Sequence, residues 1–336
     1  MSFPSLSRWL AIGVGAVAAV AFPTTVAAQP TVVMRISHQV PPAHHLTRLL
    51  EGFAADVKQR TNGQVEVQLY GSEQLAKAAE NFPQVARGTI EAAMSVNFQW
   101  GTTIPEMSAT LIPYAMGDLE RIKRFPASEA RRYLDDKLAQ RGVKSVAWLY
   151  ITRETIVTSG KKPIVALEDF KGVKIRGLNT LTDNALTAVG AAPSAMPGSE
   201  VYQALQSGVL DAGLTDLSAA YSRKYYEVQK FGTVGPIFTI YFHMFANPAW
   251  WNKLSPAHRQ AIEAAAAKVE QDAIPVTEQT AAAALKDLAG KGMTMHVQTP
   301  QEQAAWRAAM EKPVVDAFVK SAPEGGPKII ELLQKI

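Results

Sequence analysis

The chain contains no cysteine. That excludes thiol catalysis, disulfide stapling and metal centres built on thiolates. It also excludes a lipid-anchored cysteine behind a leader peptide. Export stays open, since exported proteins also fold without disulfides. Charge is sparse as well, at 19% of residues, with no run of five like charges. Nucleic-acid binding asks for a basic stripe with interleaved aromatics, and none is present, so no nucleic-acid partner is expected. The formal charge of +4, from 34 basic and 30 acidic residues, suits attraction of small anions to a cleft.

Catalytic signatures are missing too. There is no G-x-S-x-G elbow, no phosphate loop and no H-E-x-x-H. Of the six histidines only His44 and His45 adjoin, and neighbouring helical residues do not share a face. The plainer reading of these two is helix capping or a loop role. No catalytic residue, metal site or cofactor is expected. Gly13-Val14-Gly15-Ala16-Val17-Ala18 fits a loose dinucleotide pattern, but no strand precedes it and no acid follows at the right distance.

What the chain does have is 336 residues, 47% of them hydrophobic, enough for two domains or one large one. The first 28 residues read as a signal peptide. Arg8 supplies the positive start, Trp9 to Phe22 the apolar stretch, and Val26-Ala27-Ala28 a small-residue cleavage site before Gln29. That stretch is shorter than the ~20 residues a spanning helix needs. Cleavage removes Arg8, leaves a net charge of +3, and implies a periplasmic location.

Beyond it, Val32 to Ser37 reads as a buried strand. Leu46 to Arg60 carries an apolar stripe at three-and-four spacing, stopped at Thr61-Asn62-Gly63. Val65, Val67 and Leu69 alternate as in a strand. The opening is thus β-α-β, the unit of a parallel sheet. Asn81 to Arg87 predicts a helix closed by Gly88, and Ile90 to Val96 a strand. A second block repeats the alternation: strands at Val143 to Tyr150, Val173 to Arg176 and Leu210 to Leu214, helices at Thr182 to Val189 and from a Ser199 cap to Gly208. Ser255-Pro256 starts an Ala-rich helical region to about Ala289, with Pro275 expected to kink or break it. Thr299 to Glu302 fits a capping box, and Lys328 to Ile336 a terminal helix. No linker separates two domains, so two α/β lobes joined by several chain crossings are expected.

The most informative segment is Glu168 to Gly177. Arg176 ends a short apolar strand and is followed at once by glycine. Ligands of open α/β sheets lie outside the carboxyl ends of strands. An arginine there offers a planar fork that matches a carboxylate with two hydrogen bonds.

Phe170 to Arg176, Val189 to Pro193, Met196-Pro197 and Ser199 to Ala212 closely resemble the extracytoplasmic solute receptors of TRAP transporters, the DctP family. Shorter stretches agree in the same order: His38 to His44, Thr61-Asn62-Gly63, Gln74-Leu75, Phe82 to Gly88, Ile112-Pro113-Tyr114, Lys162-Pro163-Ile164, Tyr226 to Lys230 and Trp251 to Pro256. The resemblance implies a two-lobe periplasmic-binding-protein-like α/β fold, with a ligand cleft between the lobes and long helices near the C-terminus. It puts residues 29–151 plus about 238–277 in the first lobe, and 152–237 plus about 278–336 in the second. It implies that Arg176 binds a ligand carboxylate and that Arg153 is a second cleft arginine. It further implies hinge closure, delivery to membrane permease subunits, and a monomer. One departure stands out. Where many members continue Gly-Gln-Glu-Asn-Pro, this chain has Ala212 to Asp216, with Thr215 at the Asn position. Asn97, Thr215 and His243 are the further polar candidates. Phe98, Trp100 and Tyr241, with Trp148, Tyr150, Phe238 and Phe242, are candidate walls for an acid with an apolar or aromatic body. A ligand-sensing receptor of the same fold, or an exported enzyme acting on a carboxylate, are the alternatives.

Overall fold

The computed structural model describes Met1 and residues 32–336, so the signal peptide expected over residues 1–28 lies, apart from Met1, outside the described residues. β1 (Val32–His38), α1 (His45–Arg60) and β2 (Val65–Tyr70) form the expected β-α-β unit, with β1 and β2 parallel. α2 (Asn81–Arg87) ends at Gly88, whose φ of 77° is open to glycine at little cost. Then follow β3 (Ala92–Val96), α3 (Leu119–Arg124), α4 (Glu129–Gln140), β4 (Lys144–Thr152) and β5 (Thr155–Ser159). The middle of the chain holds β6 (Lys174–Gly177), α5 (Thr180–Ala188), β7 (Ala192–Ala195), α6 (Val201–Gln206), β8 (Ala212–Asp216), α7 (Leu217–Ser222) and β9 (Phe231–Gly235). The last third is β10 (Ile240–Ala246), α8 (Pro248–Lys253), α9 (Pro256–Gly290), β11 (Thr294–Val297), α10 (Pro300–Ser321) and α11 (Gly325–Gln334).

The strands form two sheets, one to a lobe. The first has the order β2-β1-β3-β10-β4, the second β11-β9-β5-β8-β6-β7. β10 runs antiparallel between β3 and β4, so a late segment completes the first sheet. The chain crosses between lobes from β4 to β5 and from β9 to β10. α9 lies across both, packing on α1 and β4 and then on α7 and β11.

Two expectations are corrected. α9 is not broken at Pro275. Proline removes one backbone N–H and costs about 3 kcal/mol in a helix interior, but Ala273 and Thr277 on either side are buried. Thr277 Oγ1 also donates to the Tyr150 carbonyl at 2.9 Å. Ser199 is not a helix cap. α6 begins at Val201 with no side-chain cap, and Ser199 Oγ instead meets Glu73 Oε1 of the other lobe at 3.2 Å. At the C-terminus, α11 packs on α10 and also reaches α4 and the 105–111 segment. The approach is so close that a Cβ on Gly325 would stand 2.8 Å from Tyr133 Oη.

One buried carboxyl ties these layers together. Glu270 of α9 accepts from the Trp148 N–H of β4 at 2.7 Å and from Arg131 Nη1 of α4 at 3.0 Å. Removing it leaves the Trp148 N–H unsatisfied and takes from Arg131 one of its two carboxylate partners, Asp135 being the other. Glu270→Ala is expected to lower unfolding free energy by about 2–4 kcal/mol in denaturant titration. Glu263→Ala, which breaks an exposed pair with Lys144, is expected to change it by about 0.5 kcal/mol or less.

Candidate functional site

Arg176 stands at the end of β6, in the parallel pairing of β6 with β8 and β7. Its side chain is only 3% exposed. Backbone carbonyls hold it: Met196 O takes Nε at 3.2 Å and Nη2 at 3.0 Å, and Leu214 O takes Nη1 at 2.6 Å. A guanidinium has five N–H groups, so one on each terminal nitrogen stays available. Among the described residues no carboxylate lies within 4 Å of it. Burial pulls its pKa below the ordinary value, to about 10, which still leaves it charged at neutral pH.

Arg176 lines a cavity between the two lobes. The second lobe contributes Arg176, Leu178, Gly198, Thr215, Asp216, Ala219 and Arg223. The first contributes Gln39, Val40, His44, Val96, Phe98, Ile240 and Phe242. The charges thus come from one lobe, and from the other come apolar walls and neutral polar groups. The free space is about 30 Å³, room for one or two waters. The lobes are therefore drawn together over the cleft. Hydrogen bonds across the divide hold them there: Asn179 Nδ2 to Ser108 Oγ at 3.0 Å, Tyr114 Oη to Gln298 Oε1 at 3.2 Å, and Ser199 to Glu73.

A larger cavity, of about 540 Å³, lies between the 112–121 segment and α10 and α11. Its arginines are already engaged, Arg307 with Glu311 at 2.8 Å and Arg121 with the Ala115 carbonyl at 2.9 Å. The small cavity is the better candidate because it holds a buried cation with donors to spare.

Of the residues singled out in the sequence, Arg176, Thr215, Phe98 and Phe242 come together here. Others do not. Asn97 is fully buried in the scaffold. Its Nδ2 donates to Met107 O and Thr110 Oγ1 at 2.8 and 2.9 Å, and its Oδ1 accepts from the Tyr241 N–H at 3.2 Å. Trp100 packs against Phe82 and Phe245, and Tyr241 against Phe125 and Trp148. His243 is buried beside Trp148, with Nε2 3.0 Å from Ser145 Oγ. These side chains fill the core of the first lobe. Arg153 lies outside the cavity and binds Glu278 of α9 at 2.8 Å, where Tyr150 Oη donates to the same carboxylate.

The sequence reading missed Asp216, Arg223, His44, Gln39 and Gly198. Asp216 carries the signal of a helix cap, which it also is: Oδ1 accepts from the Ala219 N–H at 2.7 Å. His44 caps α1, its Nδ1 accepting from Leu46 N at 3.1 Å, while Nε2 faces Ser218 Oγ at 3.4 Å. A Cβ on Gly198 would sit 1.9 Å from Arg223 Nη1, so a larger residue there would push that guanidinium aside.

The family described as "DctP: Bacterial extracellular solute-binding protein, family 7" matches residues 36–321. The C4-dicarboxylate-binding periplasmic protein DctP of Rhodobacter capsulatus is 29% identical, over 86% of this chain and 87% of that one. A TRAP periplasmic solute-binding protein from Desulfovibrio salexigens, solved with orotic acid, superposes with a TM-score of 0.86 at 28% identity. It covers 90% of this chain and 97% of its own. Another from Sulfurospirillum deleyianum, solved with succinate, gives 0.82 at 28% identity over 91% and 99%.

The histidines of the first lobe set a pH dependence. Burial lowers His38 and His45 to about 4 and His243 to about 3, and holds His44 well below its usual value. Each binds its proton more readily unfolded than folded, so their contribution is present above about pH 6.5 and is lost on acidification. The slope approaches about 1.4 kcal/mol per pH unit for each histidine. Unfolding midpoints are expected to fall steadily from pH 7 to 4.5. Stability that stays flat across that interval would show these rings are not buried neutral.

Proposed function

The chain belongs to the DctP family, family 7 of the bacterial extracellular solute-binding proteins, and from that premise we propose that it captures a small organic acid in the periplasm and hands it to the permease of a TRAP transporter. The observation that carries this is Arg176: a buried guanidinium with spare N–H groups, in a cavity between two lobes, with no carboxylate among the described residues in contact. Relatives solved with orotic acid and with succinate support a carboxylate as the ligand. Phe98, Phe242, Val96, Ile240 and Leu178 suit an apolar body behind that carboxylate. Thr215 offers a hydroxyl from the end of β8.

Capture works by closure. With the lobes apart, the carboxylate meets the free N–H pair of Arg176, and closing removes water and strengthens the charged hydrogen bonds. A ligand drives closure only as far as it binds the closed state better than the open one. The protein is a receptor with no catalytic step, acting as a monomer whose cleft must open to release its load at the permease.

Two experiments test this reading. The first measures ligand binding by ligand-stripped mature protein. Arg176→Ala is expected to weaken carboxylate binding about 30-fold or more, since truncation strands the ligand charge. Arg153→Ala, outside the cavity, is expected to leave affinity within about threefold. Near-native affinity in a folded Arg176→Ala protein would remove that residue from the mechanism. The second is intact-mass analysis of the exported protein, expected to show an N-terminus at Gln29. A full-length chain in the membrane fraction would overturn periplasmic release.

A further inference from the structure

Resting on the carboxylate-capture reading, we infer that the ligand is a monoanion bearing a hydroxyl or amide N–H beside its carboxylate, and that Asp216 selects it by accepting that donor. Asp216 lines the cavity and is only 7% exposed. Its Oδ1 is taken by Ser218 Oγ at 2.6 Å and the Ala219 N–H at 2.7 Å. Its Oδ2 has no hydrogen-bond partner among the described residues. The residue stands two positions beyond Leu214, whose carbonyl holds Arg176. The free acceptor and the free guanidinium donors thus border one small space.

A carboxylate on Arg176 therefore arrives beside a second carboxylate. Like charges at short range in a poorly solvated cavity repel. A donor on the ligand turns that repulsion into a charge-assisted hydrogen bond. His44, 3.9 Å from Oδ1 and held neutral by burial, does not neutralise Asp216. The charge inventory points the same way. Arg176 and Arg223 face the cavity as cations, and Asp216 is the one acid of its lining. Two cations and one carboxylate leave the lining one positive charge in excess, which a single ligand carboxylate balances and a second would exceed. One such charge costs less than two. A ligand ammonium would satisfy Asp216 but faces Arg223. A hydroxyl or amide N–H carries no such conflict.

The test is calorimetric titration of ligand-stripped mature protein with matched acids. The pairs are lactate and propionate, 2-hydroxyisocaproate and isocaproate, and pyroglutamate and cyclopentanecarboxylate, with succinate as the dianion. The donor-bearing member of the best-bound pair is expected to bind about tenfold tighter or more than its partner, and tighter than succinate. Asp216→Asn keeps the helix cap, because Asn caps as well as Asp, so the fold should hold. In that variant the preference is expected to shrink to about threefold or less, and succinate to gain affinity. Equal binding within pairs, tighter binding of succinate by the native protein, or an unchanged preference in Asp216→Asn overturns the inference and leaves carboxylate capture intact. Binding of no acid in the panel by folded protein overturns both.

Discussion

The site depends on a cation buried without a counter-ion. Desolvating a guanidinium is expensive, and neutral carbonyls repay only part of the cost. Arg176 stays inside because three backbone hydrogen bonds fix it, and those carbonyls belong to segments that must be in place first. Leu214 O comes from β8, in register beside β6. Met196 O comes from the loop after β7, which packs against Arg223 where Gly198 leaves room for it. The second sheet thus builds a socket for a positive charge and leaves its outer donors unused. In the proposed role, a ligand carboxylate supplies the missing counter-ion.

The lobes divide the labour. Charge sits on the second lobe. The first brings Phe98, Phe242, Ile240, Val96 and Val40, with Gln39 and His44 as its polar groups, the latter kept neutral by burial. In the proposed capture, an anion is held by the second lobe before the first arrives, and the first adds mainly apolar burial and exclusion of water. Long-range attraction and shape selection are separated in space, and closure joins them.

Much of the fold was legible because each lobe opens with elements whose periodicity is plain. The stripe of α1, the alternation of β2 and the Gly88 stop each specify local structure from neighbours in sequence. What periodicity cannot carry is order in space. β10 enters the first sheet between β3 and β4, far from either in sequence, and α11 returns to α4. Pro275 shows the same limit in reverse. A local rule argued for a break, and packing of α9 on both lobes kept the helix whole.

The site was legible where backbone context and side-chain chemistry agreed, and illegible where one residue type serves two ends. Arg176 ends a strand before a glycine, a setting surface and salt-bridge arginines share, and the family motif around it singled it out. Asn97 and Arg153 look equally suited to a ligand in sequence, yet internal partners consume both: Met107, Thr110 and Tyr241 for the amide, Glu278 for the guanidinium. Asp216 erred in the opposite direction. It reads as a helix cap, and Oδ1 is one. A carboxylate has two oxygens, however, and capping uses only the first. The sequence position that explains the residue completely at the level of secondary structure leaves half of its chemistry facing the cleft. That half, beside an unpaired arginine, separates this pocket from one made for a second carboxylate.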